Sequence, residues 1–221
     1  MPFLDYLPAL LQGARVTVEL TLYSTVLGAL VAFGLGIGRH SRRAWLNVPC
    51  AVIVEIFRGT SLLVQLFWIY FALPVFGELV GLNLRLEPMV AGTLALALNI
   101  GAYGAEVVRG ALQAVPTEQL EAAKALDFSG RQTLWRISLP QALPEMMPSF
   151  GNLAIQNLKD TALVSLISLG DLAFRAEQIR NFTQDSTTVY TMLLLMYFGM
   201  ALVLSALMSL LGRRVGAWRN A

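Results

Sequence analysis

Cysteine and histidine are nearly absent: Cys50 and His40 are the single copies of each. One thiol cannot close an internal disulfide, and two such residues cannot build a metal cluster. His40 stands among arginines, the setting of a solvated side chain rather than a ligand. Lysine is as scarce, Lys124 and Lys159 being the only two of 16 basic residues. No Gly-Lys pair occurs, so the chain has no G-x-x-x-x-G-K-[ST] phosphate loop. H-E-x-x-H and G-x-S-x-G are missing too, which argues against a membrane protease or hydrolase. The chain therefore reads as no enzyme, with no cofactor of its own; ATP hydrolysis, where needed, belongs to another chain.

Charge is thin overall, at 14% of residues, where a soluble domain carries about 25%. Hydrophobic residues reach 56% and the mean hydropathy is +0.62, values that point to lipid as the solvent. With a net charge of only +2 and no basic run beside a soluble fold, nucleic acid is excluded as a partner. Residues 1–11 lack a basic opening region and do not read as a cleaved signal.

A membrane span needs about 20 mostly apolar residues. Five stretches qualify, at 16–37, 50–73, 89–108, 142–158 and 189–211. The expected fold is all-α and polytopic, a single membrane domain over 1–221. The fourth stretch carries Pro144, Glu145, Pro148, Asn152 and Gln156, tolerable only where those groups face protein or a water-filled path. Residues 161–170 are apolar but too short to span, and read as a re-entrant or interfacial helix on the outer side.

Basic residues set the orientation. Arg39, Arg42, Arg43, Arg109, Lys124, Arg131, Arg136, Arg213, Arg214 and Arg219 fall on one side. Arg15, Arg85, Lys159, Arg175 and Arg180, half as many, fall on the other, with Arg58 near the inner end of the second span. The amino terminus is thus expected outside and the carboxyl terminus in the cytoplasm.

Polar residues within the spans form two helical stripes. Asn99, Tyr103 and Glu106 share one face of span three by their spacing, as do Asn152, Gln156 and Lys159 on span four. They either line a passage, with Lys159 and Asp160 at its mouth, or act as interhelical glue. An internal echo, Glu55-x-x-Arg58-Gly59 and Glu106-x-x-Arg109-Gly110, places two Glu/Arg pairs at the cytoplasmic end. These four residues form either a structural ion-pair cluster or a gate.

The segment 110–140 is a long cytoplasmic loop with helical character. Pro116 and Thr117 make a helix start, Thr117 as N-cap, followed by Glu118 and Glu121 where the helix dipole favours acids. Small Ala122, Ala123 and Ala125 follow, then a stop at Asp127-Phe128-Ser129-Gly130 and a second amphipathic helix up to Pro140. On physical grounds this is either a surface hairpin or a docking helix for a soluble partner.

Glu121-Ala122-Ala123, with Ile137, Leu139 and Pro140 at their spacing, resembles the cytoplasmic signature loop of ABC importer permeases. The family's usual glycine is replaced by Asp127, a residue that tolerates the left-handed turn better than most; Gly130 offers a second place for it. Residues 57–66, 102–110 and 158–163 resemble the polar amino-acid permease group, so the likeness covers about 13–214. The wording at 125–128 and 163–172 is similar to ectoine and hydroxyectoine permeases. The resemblance implies a permease for a polar amino acid or related zwitterion, with Glu118, Glu121, Ala122, Ala123, Asp127 and Gly130 in the loop that contacts the ATPase. It also implies two ATP-binding subunits, a second permease, identical or similar, and an external solute-binding protein. The competing reading is a self-sufficient secondary carrier or channel, although five spans divide poorly into repeated halves.

Overall fold

The structure, a computed structural model, describes residues 2–216; Arg219, counted above for orientation, lies outside them. α1 runs Pro2–His40, α2 Ala44–Gly59, α3 Leu62–Phe67, α4 Leu73–Leu79 and α5 Pro88–Gln113. α6 (Thr117–Ala125) and α7 (Gly130–Thr133) precede α8 (Leu139–Asp160), α9 (Leu172–Thr183) and α10 (Ser186–Gly216). Four helical stretches, Asp5–His40, Leu62–Leu79, Pro88–Gln113 and Ser186–Val215, are long and apolar enough to cross a membrane. α8 is as long as a span but more polar, and it packs against α1, α5 and α10. The fold is all-helical among the described residues and membrane-embedded; the four apolar stretches and the more polar α8 together come to the about five crossings expected.

Small residues set the packing of α1 on α5. Gly28 faces Ala97 and Ile100, Ala32 faces Gly104, and Gly36 faces Ala105 and Val108. These partners advance together along both helices, so α1 and α5 run parallel. Between lipid-facing helices there is no hydrophobic gain from association; close van der Waals approach supplies the attraction instead, and it needs small residues at the seam. α8 runs the other way: Asn157 Nδ2 donates to Ser24 Oγ at 2.7 Å and to Thr25 Oγ1 at 3.0 Å, while Phe150 stacks on Phe33. α10 is antiparallel to α8, with Gly151 facing Met208 and Gly212 facing Met147. Successive crossings thus alternate, which puts residues 41–43, 114–138 and the end of α10 at one end of the bundle. The described basic residues of the larger group named above gather at that end.

The second expected span, 50–73, is broken. α2 stops at Gly59 and α3 starts at Leu62, with Thr60 and Ser61 extended between them. Further on, Trp68–Ala72 forms a π-helical turn, and Leu134–Ser138 forms another. Each precedes a proline, Pro74 or Pro140, whose missing N–H and bulky ring disturb the bond to the carbonyl four residues earlier. Those carbonyls, of Tyr70 and Arg136, lie inside the two π turns, where the wider coil relieves the clash. The second helix of the loop therefore does not stop at Pro140 as expected; it runs on through the π turn into α8.

Residues 161–170, expected as a re-entrant or interfacial helix, do hold a helix, but one enclosed by the bundle. Thr161–Ile167 winds as a 3₁₀-helix whose buried Thr161, Val164 and Ile167 recur every three residues, the period of that helix. Val164 and Ile167 join Leu20, Leu66, Ala91, Ala95 and Leu96 in one core cluster. The segment is apolar because it is enclosed by the bundle. Asp171 then caps α9, accepting from Phe174 N at 2.9 Å and Ala173 N at 3.3 Å. Burial pushes its carboxyl up to about 6, against the pull of these capping bonds.

Candidate functional site: a polar cavity, an ion cluster and a capped loop

The break between α2 and α3 is held open by amides. Gln65, almost wholly buried, donates through Nε2 to the carbonyls of Phe57 (2.8 Å) and Thr60 (3.1 Å) and to Thr60 Oγ1 (2.9 Å). Its Oε1 accepts from Asn99 Nδ2 of α5 at 3.1 Å. The amides thus satisfy the carbonyls that the interrupted helix leaves without partners, inside a bundle where water is scarce. Gln65 was missed as a site residue, although it stands in the 57–66 motif; the local signal for the break was Gly59-Thr60-Ser61, a helix-ending glycine followed by an N-cap type residue.

Beside the break lies a cavity of about 420 Å³, within the range of small-molecule sites. Its polar wall is Thr60, Ser61, Asn99, Tyr103, Gln156, Asn157 and Asp160, and its apolar wall Leu62, Leu96, Ile100 and Leu153. Gln156 Nε2 donates to Asp160 Oδ1 at 2.9 Å. Three residues of the two expected stripes, Asn99, Tyr103 and Gln156, therefore share one cavity with Asp160, which was expected at the mouth of the passage. Asn152 and Lys159 do not line it and are exposed. The face of α8 turned to the cavity is Leu153, Gln156, Asn157 and Asp160, about a quarter-turn from the face bearing Asn152 and Lys159 at 100° per residue. Asn157, unmarked in the sequence reading, is both cavity wall and anchor to α1.

At the end of the bundle where α1 and α5 stop, Glu106 lies between two arginines. Arg39 at the close of α1 pairs with Glu106 Oε1, and Arg109 Nη2 lies 2.8 Å from Oε2. Arg39 also reaches Glu55 of α2 at 3.5 Å, and Arg58 lies 3.9 Å from Glu55. The four expected residues thus meet, but the ionic link between α2 and α5 is Arg39, counted above only as a loop charge. Arg58 turns instead towards Tyr103, its guanidinium carbon 5.6 Å from the ring centroid.

The 110–140 loop is well defined. α6 starts at Thr117 with Pro116 in the N-cap position and no side-chain cap, so Thr117 is the first helical residue rather than the cap. Asp127 takes φ +54°, while Phe128 N donates to Ala123 O and Asp127 N to Lys124 O. That bond pattern is the Schellman motif, with aspartate where glycine is usual. The turn falls at Asp127; Gly130 instead opens α7 behind a Ser129/Gln132 capping box. Glu118, Glu121 and Ala122 are exposed, whereas Ala123 is buried against its own chain. Gln141 donates to Gln119, tying α6 to the start of α8.

Residues 24–217 match the family described as binding-protein-dependent transport system inner membrane component. The chain belongs to that family. A probable amino-acid ABC transporter permease of Sinorhizobium fredii is 62% identical, covering 100% of this chain and 92% of the relative. The octopine transport system permease of Rhizobium radiobacter is 35% identical over 92% of this chain and 84% of its own length. The glutamine transport system permease of Escherichia coli is 31% identical over 95% of this chain and 94% of its own. Among solved structures, an amino acid ABC transporter with histidines superposes with a TM-score of 0.84 at 34% identity, covering 96% of both chains. A methionine ABC transporter in an inward-facing conformation, at 21% identity and a TM-score of 0.78, supports the fold alone. This chain is thus an ABC permease in a family whose named relatives here carry amino acids or opines.

Proposed function

We propose that the chain is the permease of an ATP-driven amino-acid importer and that the cavity beside Thr60 and Ser61 is part of its passage. The observation that carries this reading is a polar-walled cavity of about 420 Å³ set among apolar spans. A zwitterion stripped of water needs a partner for each charge. The Asp160 carboxylate suits an ammonium, and the hydroxyls of Ser61 and Tyr103 suit a carboxylate. The chain pairs with an identical or similar permease that completes the wall, and two ATP-binding subunits and an external binding protein serve the pair. The amino terminus is outside, because the larger basic group sits at the opposite end. The relatives named above favour an amino-acid or opine cargo over ectoine, and family membership favours an ATP-driven importer over a self-sufficient carrier.

Asp160→Asn and Asn99→Leu should each reduce solute uptake by the assembled transporter at least tenfold while ATPase subunits still co-purify. Asn152→Leu, outside the cavity, should leave uptake within about twofold. Equal losses at Asn99 and Asn152 would remove the passage from this cavity.

The exposed face of α6 docks on the ATPase. Because Ala123 is buried, a bulky residue there disturbs the loop itself; the discriminating position is exposed Ala122. Ala122→Trp should leave the amount of membrane-inserted chain unchanged and cut solute-stimulated ATP hydrolysis at least tenfold. Normal hydrolysis and uptake in that variant would remove the docking role from α6.

A further inference from the structure

Away from the cavity, the ion cluster and the loop, one surface joins unpaired positive charge to exposed apolar side chains. Arg42 and Arg43, both exposed, occupy the turn between α1 and α2, and among the described residues neither enters an ion pair. Trp45 follows in the first turn of α2, 68% exposed. Val48, Val52 and Ile56, all exposed, continue on the same face of the helix. The opposite face is the packed one, with Val54 buried and Cys50 against Gly38 of α1.

The stripe from Trp45 to Ile56 is about 17 Å long at 1.5 Å per residue, close to half of the ~30 Å hydrocarbon core. It is one leaflet deep, and its positive charge stands only at the end where α1 finishes; Glu55, on the flank of the stripe, is turned to Arg39. We propose that this surface holds an anionic phospholipid, its phosphate on Arg42 and Arg43 and an acyl chain along Trp45, Val48, Val52 and Ile56. Arginine presents a planar fork of donors that matches phosphate oxygens, and tryptophan settles at headgroup level. A protein partner on this face would have to bring carboxylates to one end and none along the rest. An anionic lipid has that distribution by construction. The proposal rests on the bundle sitting in a bilayer with this face of α2 turned to lipid and not to the second permease, and is independent of the cargo.

The test uses the full chain in its transporter complex, in bilayer discs of phosphatidylcholine with a minor share of phosphatidylglycerol. Lipid retained after mild detergent extraction is counted by native mass spectrometry. Each arginine beside an anionic surface contributes roughly fivefold in affinity. Arg42→Gln with Arg43→Gln should therefore lower phosphatidylglycerol retention about thirtyfold and leave phosphatidylcholine unchanged. Arg42→Lys with Arg43→Lys, which keeps the charge and loses the fork, should retain an amount between the native chain and the glutamine pair. Inorganic phosphate added as competitor should not displace the lipid, because the chain contact remains; displacement would mean a free-anion site and overturn the proposal. Equal retention by the glutamine pair and the native chain would overturn it as well. Should the pair fail to fold, Arg43→Gln alone, with an expected fivefold loss, decides the same question.

Discussion

Gly36→Val should destabilise the bundle by about 3 kcal/mol, the upper range for forcing volume into a packed seam. Gly34→Val, two residues earlier, should change stability by less than about 0.5 kcal/mol, the usual scale for substitutions away from packed contacts. A Cβ on Gly36 would stand 2.8 Å from the carbonyl oxygen of Ala105 and 2.6 Å from Val108 Cβ. Backbone cannot turn aside as a long side chain can, so α1 and α5 would have to part. Parting them loosens the Gly28, Ala32 and Gly36 contacts together, since all three sit on one line of α1. Gly34 points away from α5, with nothing within 4 Å of its Cβ position, and valine there meets lipid. Thermal unfolding of the two variants in the same detergent gives the comparison. Similar melting temperatures for both would show that the α1–α5 seam yields and that glycine is not needed for it.

The contrast between Gly34 and Gly36 also shows what could be read in advance. Apolar runs are local, so five crossings and the long loop were legible from composition and length alone. The family signature was legible because its residues lie at fixed spacings, and Asp127 was open to a left-handed turn because aspartate tolerates one. What a neighbour decides was not legible. The phase of α8 is set by packing against α1 and α10, which turns Gln156 and Asp160 into the cavity and leaves Asn152 outside it. The break at Thr60–Ser61 is stabilised by Gln65 and by Asn99, 34 residues further along, and no window of sequence contains both. Apolar character likewise could not distinguish lipid-facing residues from the enclosed 3₁₀ segment at Thr161–Ile167. The π turns had a local cause in Pro74 and Pro140, although proline signals only that the α-helix is disturbed and not how the chain accommodates it.

Arg39 was invisible as a site residue for the same reason, and it shapes the second large effect. Glu106→Gln should lower stability by about 2 kcal/mol, below the 3–5 kcal/mol seen for fully buried pairs because this cluster retains partial access to water. The side chains of Arg39 and Glu106 are 17% and 21% exposed. In the native chain one carboxylate answers two guanidinium groups, Arg39 from α1 and Arg109 from α5. Glutamine keeps the shape and one acceptor oxygen but removes the charge, leaving two half-buried cations side by side. The loss is therefore dominated by the arginines left behind rather than by the pairs removed. Arg39→Met combined with Glu106→Gln should accordingly recover at least half of the lost stability, because of the two arginines that pair with residue 106 Arg109 alone then remains, with Gln113 Oε1 at 2.9 Å as an acceptor. In the assembled importer the same pair of variants separates a brace from a latch. As a brace, the cluster affects melting temperature and expression while ATP hydrolysis without solute stays low. As a latch across α1, α2 and α5, its loss lets the permease change state unprompted, and Glu106→Gln raises solute-independent hydrolysis several-fold. We expect the latch result, because Arg39 joins Glu55 and Glu106 on two different helices and any relative movement of α2 and α5 must break one of those contacts. Basal hydrolysis at the native level in a Glu106→Gln transporter that still imports solute would reduce the cluster to a brace.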